Sequence, residues 1–537
     1  MNKTIKNNIN PLIANYLSRK GVTTPEEMDK LLIDQKISDP FQMMNMDKIL
    51  DRIKVAIDQK QKIVICGDYD ADGTVSTAML VRFFKELNYS VSWYIPHRVE
   101  EGYGISAIGV EKLVADGAKL LISVDNGIAA FDAGKKSLEL GVDLIITDHH
   151  DVVDNKQPEC FAILNPKIED LNRTYRYLAG AGVALYLIRA MKRYFKATHI
   201  NLDKYLLLCT IASIADVVPL RDENRTIVKK GLEILYKHNE IPGITYLLIE
   251  AGIKLNYLSE VTAQDIGYKV VPMLNAAGRL EGAEKTILLL IEDQEDNAKD
   301  YARALKALNL RRRGESELLL ALVTEQADLT KPMIICGGDG YHEGIIGVTA
   351  GKLKNDLRKP TIIVSFNDKG IGKGSCRSIE GFNMVLALES HRDLLIKFGG
   401  HYMAAGFSIE KSKFKEFSEK MENYFKEKYD PKLAKAEVDL ELKIDDLTQD
   451  LLTQFQSLEP FGAKLELPIV EYTGKITEIS VIKQKHLLLK LDNKVTCWFF
   501  FDISRLEDIQ KMLYIKVIGE MTVKNKSASI IAKRIIE

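Results

Sequence analysis

Three carboxylates on alternate residues, Asp68, Asp70 and Asp72, stand in the stretch KIVICGDYDADGTVSTAML that runs from Lys62 to Leu80. Acids this close repel one another and each prefers water, so a purely structural role is hard to supply. A divalent cation removes the difficulty, because hard oxygen ligands at the end of a strand are what Mn²⁺ or Mg²⁺ prefers. An acidic turn capping a helix is the plainer alternative. Further acids and imidazoles follow: Asp125 in VDNGI, His149 and His150 in TDHHD, and Asp216 in IADVVPL. A second set is polar or cationic. It comprises Arg98 and Tyr103 in HRVEEGYGIS, Asn275 and Arg279 in NAAGRLEGA, Ser375 and Arg377 in GKGSCRS, and His401 in FGGHY. Glycines let backbone amides approach an anion, and a hydroxyl beside a forked guanidinium suits a phosphate. By itself GKGSCRS reads more readily as a β-turn. The triplet Arg311-Arg312-Arg313 reads as a solvated helix face rather than a phosphate site.

The elements that must position these residues come next. Ile63-Val64-Ile65-Cys66 has the length and β-branched character of a strand buried on both faces. It stops in Gly67 and the acids, and Thr74 to Leu80 reads as the first turns of a helix. Val91 to Ile95, Leu120 to Val124 and Asp143 to Thr147 are three more strands, with helical segments between them. That rhythm predicts a parallel sheet with helices on both faces. Three strands place carboxylate or imidazole at the carboxyl end, the edge where open α/β sheets bind ligands. A lone His or Asp on a loop is usually solvated, but three independent strand ends reverse that reading. The topology should bring Asp70, Asp125 and His149 together. Asp216, after an apolar helix over 202–214, is by itself an ordinary helix terminus.

At 537 residues the chain is too long for one core. The expected divisions are an N-terminal helical region over 1–60, peripheral to the rest, an α/β domain over 61–282, and a helical connector over 283–329. A second α/β domain over 330–435 and a small β-barrel over 436–537 complete it. The barrel follows from five short strands, KITEIS, HLLLKLD, VTCWFFF, LYIKVIGEM and ASIIAKRII, which suggest an OB type, a common platform for single strands. Trp498, Phe499 and Phe500 suit core as well as stacking, with at least one of them in the core. A net charge of −1 neither demands nor excludes nucleic acid. Six scattered cysteines without a Cys-x-x-Cys pair indicate reduced thiols in a cytoplasmic protein. No apolar run is long enough for a membrane span, and the N-terminus lacks a signal-peptide core.

Taken together, GDYDADG, VDNG, TDHH and IADVVPL resemble the four motifs of the DHH phosphoesterase family. GSCRSI and GGHYMAAGF are similar to its DHH-associated domain. The loop IPHRVEEGYGIS, the NAAGRL turn, the PFG at Phe461 and the terminal barrel narrow the likeness to RecJ-type single-stranded-DNA exonucleases, over almost the whole chain. The resemblance implies a two-metal site of Asp70, Asp72, Asp125, His149, His150 and Asp216, with Asp68 beside them and Asp125 as the bridge. It implies Mn²⁺ or Mg²⁺ as cofactor, with Asp125, His150 and His401 carrying catalysis. Arg98, Tyr103, Asn275, Arg279, Ser375 and Arg377 would contact phosphate or DNA. Two cations ~3.5–4 Å apart can lower the pKa of a bridging water and neutralise the phosphorane as it forms. There are departures: Cys66 stands where many relatives carry His, Met273 replaces an Arg, and Lys464-Leu465-Glu466 replaces Gly-Asn after PFG. The first puts one metal ligand in question.

The function this implies is a 5′-to-3′ exonuclease of single-stranded DNA that releases mononucleotides in repair and recombination. A phosphodiesterase of short oligonucleotides or cyclic dinucleotides is a second reading, and a catalytically inactive scaffold in a replication complex a third. The extra N-terminal region and barrel favour a polymer substrate, and the intact acids count against a scaffold. Expected partners are single-stranded DNA, and a single-strand binding protein or helicase, for a monomer with no membrane attachment.

Overall fold

The structure, a computed structural model, describes residues 9–96, 103–152, 155–169, 172–237, 240–256, 261–431, 438–500 and 503–536. Strands β1 (Ile63–Cys66), β2 (Ser92–Tyr94), β3 (Leu120–Val124), β4 (Asp143–Thr147) and β5 (Ala162–Leu164) form a parallel sheet in the order β2-β1-β3-β4-β5. Alternate side chains of β1 enter two cores. Ile63 and Ile65 pack with the helices Ala71–Glu86 and Gly180–Tyr194, while Val64 and Cys66 pack with Val110, Leu113 and Ala133 on the other face. Burial on both faces is why these strands are unbroken apolar runs. The chain leaves β1 toward β2 on one side and resumes at β3 on the other. The carboxyl ends of β1 and β3 therefore flank the crevice of a topological switch point, where such sheets bind ligands.

The segment around Asn275 and Arg279 is a helix, Val271–Leu280, and not the glycine- and alanine-rich turn expected from sequence. Alanine favours helix, and Gly278 is there for close approach, since a Cβ would lie 2.2 Å from the Tyr69 carbonyl oxygen. Two helices, Glu284–Ile291 and the 32-residue Glu295–Gln326, then lead to the second domain.

There β6 (Ile334–Asp339), β7 (Thr361–Phe366), β8 (Ile371–Arg377), β9 (Leu395–Gly400) and β10 (Ala404–Glu410) form a mixed sheet in the order β6-β7-β8-β10-β9. The GKGSCR run, read above as a turn, is strand β8, buried at every second residue. Its glycines make room for aromatic rings. A Cβ at Gly374 would lie 2.3 Å from the Phe407 ring, and one at Gly372 2.6 Å from Phe366.

The last domain holds β11 (Leu440–Leu442), β12 (Ile469–Ile482), β13 (His486–Leu491), β14 (Val495–Phe499), β15 (Tyr514–Lys524) and β16 (Ser527–Ile536). Pairing runs β12-β13-β14-β16-β15, and β15 pairs back to β12, which closes a five-stranded barrel as the sequence indicates. Phe499 is core, whereas Trp498 and Phe500 alternate to the outside, stacked at 5.4 Å between ring centroids and 5° between planes. His486 stands edge-on to Phe500 at 5.4 Å, and Lys483, Lys485 and Lys490 are exposed nearby.

The first sixty residues split between two cores instead of lying at the periphery. The helices Pro11–Arg19 and Pro25–Leu32 contribute Ile13, Tyr16, Leu17, Leu31 and Leu32 to the barrel's core, and Met46–Asp58 joins the core of the first sheet. Buried Arg225 ties these parts together by donating to the carbonyls of Leu31 (2.7 Å), Leu458 (2.7 Å), Glu459 (3.0 Å) and Pro460 (2.8 Å). Four carbonyl acceptors offset the cost of burying that guanidinium. No helix among the described residues is long and apolar enough to cross a membrane.

Candidate active site

Each acid is placed by the backbone of a different element. Asp70 caps the helix Ala71–Glu86, accepting from the amides of Asp72 (2.9 Å) and Gly73 (3.1 Å). Asp72, buried two residues on, accepts from Gly180 (2.7 Å) and Ala181 (2.8 Å) at the start of the helix Gly180–Tyr194. Both contacts use the unpaired amides that a helix N-terminus offers to an anion. Asp125 ends β3 in a left-handed conformation, φ 61°. Gly180 is obligatory beside it, because a Cβ there would lie 2.5 Å from the Asp125 Cβ. Asp216 caps the far end of the helix Asp203–Ala215.

The charges of this cluster oppose one another. Burial holds the Asp72 and Asp125 carboxyls well above the usual carboxylate range, and neighbouring acids raise both further. Asp216 is pushed up to about 7 by burial and then by Asp70. His149 Nε2 lies 3.1 Å from Asp125 Oδ1, 3.6 Å from Asp216 Oδ2 and 3.9 Å from Asp72 Oδ2. Burial, with His150 beside it, pushes this imidazole down to about 3, so it is neutral. Its ring also hydrogen-bonds the Leu178 backbone.

Asp125 Oδ1 and His149 Nε2 are both buried, and neither has a hydrogen-bond partner among the described residues. Leaving two such atoms unsatisfied is costly unless something electropositive sits between them. Ligand atoms of Asp125, His149 and His150 lie within 4.8 Å of one another, as do those of Asp72, His149 and Asp216. Neutral imidazole with several carboxylate oxygens is the donor set that Mn²⁺ or Mg²⁺ accepts, so the residues fit a divalent metal.

Asp148 is a site residue that sequence reasoning passed over, although it is the first letter of DHH. Fully buried, it accepts from the amides of His149 (2.7 Å), His150 (3.2 Å) and Ile128 (2.9 Å) and from His150 Nδ1 (2.8 Å). Burial works against its charge, yet the His150 bond and the two imidazoles bring it down to about 2. For His150 burial again opposes the charged form, but Asp148 prevails and raises it to about 9. Such a carboxylate fixes which nitrogen of the ring is left for another partner. Asn126 was passed over too. Its Nδ2 donates to the carbonyls of Cys66 (3.0 Å) and Val124 (2.8 Å), which stitches the ends of β1 and β3 together.

The remaining candidates divide. Asp68 is buried, takes a 3.4 Å contact from the Gly104 amide, and lies outside both ligand groups. Asp70 is outside them as well, though its charge raises Asp72 and Asp216. Cys66 faces the apolar layer away from the acids, where burial pushes its thiol up, so the cysteine does not occupy a ligand position among the described residues. The Tyr103 hydroxyl donates to the Asp125 carbonyl at 2.7 Å and lies 3.3 Å from His150 Nδ1. Asn275 accepts from the Ala71 amide at 2.8 Å and so holds the acidic loop. Arg279 reaches the Gly344 carbonyl at 3.4 Å, where the helix Glu343–Leu357 begins. Arg377 donates to Ser375 Oγ at 3.2 Å, and both face the first turns of that helix at Gly347. His401 is exposed just beyond β9 and outside both ligand groups. Arg98 lies outside the described residues.

Residues 62–214 match the DHH family N-terminal domain, 330–427 the DHHA1 domain and 438–529 the RecJ OB domain. The single-stranded-DNA-specific exonuclease RecJ of Salmonella typhimurium is 32% identical over 510 residues, which is 90% of this chain and 86% of that protein. The chain belongs to the RecJ family. The RecJ of Bacillus subtilis is 34% identical over 536 residues, 96% of this chain and 66% of that longer protein. Among solved structures, RecJ from Thermus thermophilus in complex with Mn²⁺ matches with a TM-score of 0.79 and 26% identity, over 98% of this chain and 78% of that one. In this RecJ-family chain the GDYDADG, VDNG and TDHH motifs all end strands on one edge of the first sheet, and IADVV ends the helix that closes over it.

Proposed function

We propose that this chain is a metal-dependent exonuclease that degrades single-stranded DNA from its 5′ end to mononucleotides, in DNA repair and recombination. One observation carries the proposal: two of the buried atoms that lack a hydrogen-bond partner among the described residues, Asp125 Oδ1 and His149 Nε2, face each other at 3.1 Å within a group of five ligand side chains. Asp72, Asp125, His149, His150 and Asp216 would hold two divalent cations, Mn²⁺ or Mg²⁺. An imidazole nitrogen has one lone pair and cannot bridge two cations, whereas a carboxylate can, so Asp125 is the bridging candidate. When bound, such cations supply an activated water and charge neutralisation at the phosphoryl oxygens. The chain's own residues do the rest. Asp148 orients His150, Asn126 and Gly180 set Asp125, and Asn275 and Asp70 hold the acidic loop at the helix start. His401, from the second domain, is assigned to a phosphoryl oxygen of the scissile group, where an imidazole can donate a proton.

The barrel supports a polymer rather than a dinucleotide as substrate, because Trp498 and Phe500 present a stacked pair to solvent beside exposed lysines. A monomer working in the cytoplasm, with a single-strand binding protein or helicase nearby, is part of the same proposal. A metal-dependence assay on 5′-labelled single strands, duplex and dinucleotide tests it. Digestion of the single strand alone from the 5′ end, abolished by chelator, is the expected result, and preference for the dinucleotide would overturn it. Trp498→Ala with Phe500→Ala should weaken binding of long single strands by ~1–3 kcal/mol per lost stacked base, read by fluorescence anisotropy. Cleavage of strands too short to reach the barrel should not change.

Recognition of the end is assigned to Ser375 and Arg377, which converge on the start of the helix Glu343–Leu357, and to Arg98. A 5′-terminal phosphate carries more charge than an internal one, and bidentate charge-assisted contacts are strong and directional. Arg377→Lys keeps the charge but loses the fork. The ratio of initial rates on 5′-phosphorylated and 5′-hydroxyl strands should therefore fall roughly tenfold or more in this variant. An unchanged ratio would show that this pair does not read the end.

A further inference from the structure

Beside Asp216 the first domain and the barrel border a cleft of about 330 Å³, open to solvent on one side and within the span of small-molecule sites. Its walls include Val217, Tyr268, Phe461, Leu467, Glu466 and Glu520. Val217 follows Asp216 directly, is 66% exposed and holds φ at 57°, a costly conformation for a β-branched residue that the surrounding structure must impose. That constraint comes in part from the barrel side, where the Leu220 amide donates to the Ala463 carbonyl at 3.0 Å. Tyr268 is 69% exposed and stands on the π-helical turn Ile266–Val270, a wide turn that recurs at functional sites. Among the described residues the cleft lining contains two carboxylates and no cation, and each carboxylate is paired with a lysine outside the lining, Glu520 with Lys533 at 2.6 Å and Glu466 with Lys20 at 3.5 Å. Such a lining offers phosphate no cation to bind. It suits the uncharged, flat end of a nucleotide, with an aromatic face to stack on and carboxylate oxygens at the rim as acceptors.

We propose that this cleft receives one nucleobase of the bound strand, close to the bond being cut, with Tyr268 as the stacking face and Val217 as an apolar wall. The inference rests on the nuclease reading and adds to it a base-binding position between the first domain and the barrel. A strand so anchored is registered by a base as well as by its phosphates, which fixes how far it advances after each cleavage.

The test is an abasic scan with the full chain and saturating Mn²⁺. A 5′-phosphorylated single strand carries one abasic site, moved stepwise from the 5′ end, and kcat/KM is measured at each position. For the wild type one position near the end should lose roughly five- to tenfold, the size of one lost base–aromatic stack. In Tyr268→Ala that dip should flatten to less than about twofold, while Tyr268→Phe keeps it. Tyr268 is exposed, so neither change threatens folding. A flat wild-type profile on a strand that is bound and cut overturns the cleft's role, as does an unaltered dip in Tyr268→Ala. Failure to bind or cut any single strand overturns the nuclease reading beneath it, and the two failures are distinct.

Discussion

Cleavage of a 5′-phosphorylated single strand is expected to fall by at least about a thousandfold in Asp125→Ala, with strand binding largely kept. The carboxylate sits at the end of β3 with one oxygen unsatisfied, facing the neutral imidazole of His149 at 3.1 Å. It is also the carboxylate that shares a ligand group with both His149 and His150, and a carboxylate has two oxygens with which to serve two cations. The variant's fold should survive, because the lost group is a buried acid surrounded by acids. Removing it relieves repulsion that the metal-free chain must carry. The metal-free melting temperature should therefore rise, while the further rise on adding Mn²⁺ should shrink, since a ligand stabilises only in proportion to its affinity for the folded state. Retention of more than a small fraction of wild-type turnover at saturating Mn²⁺ would sink the two-metal assignment.

Without metal the chain is expected to become less stable as pH rises from about 6.5 to about 9. Asp72, Asp125 and Asp216 have folded pKa values above their ordinary 3.8, with Asp216 at about 7. Their protons are retained on folding at pH values where the unfolded chain has lost them, so this contribution is full at low pH and disappears as pH climbs through the folded values. His150, raised from 6.5 to about 9, has the same sign, and its contribution is lost above 6.5. His149, lowered to about 3, and Asp148, lowered to about 2, act oppositely but only below 6.5 and 3.8. Above about 6.5 no member of the cluster opposes the trend. Scanning calorimetry after chelation should show the first transition falling by several degrees across that window, on the order of several kcal/mol. Mn²⁺ should reverse the slope, because it binds the deprotonated ligands and expels their protons on binding. Asp216→Asn should flatten the metal-free curve. A metal-free melting temperature that is constant or rises with pH would show that the acids are not holding protons in common.

The alternation of strand and helix, and the acids at successive strand ends, were legible from sequence because both are local. A strand buried on two faces must be an apolar run, and carboxylates cannot be spaced as in GDYDADG without a charge to meet them. The closed barrel was legible for the same reason, from five short strands whose alternate residues turn inward. What sequence could not decide depended on atoms far away in the chain. The glycines of β8 look like a turn until Phe366 and Phe407 are seen to fill the space beside them. The Asn275 segment is a helix whose Gly278 admits the Tyr69 carbonyl. Asp148 and Asn126 reveal their roles only when β4 and β3 are laid beside their neighbours, since one orients a histidine and the other joins two strand ends. The first helices read as peripheral because their apolar face is matched by the barrel some 400 residues later, a distance visible in the 444-residue separation between Asn10 and its partner Gln454. Local propensity and charge repulsion are written in short windows of sequence; close approach, shared burial and the partner of a polar group are properties of three-dimensional neighbours, and only the folded chain supplies those.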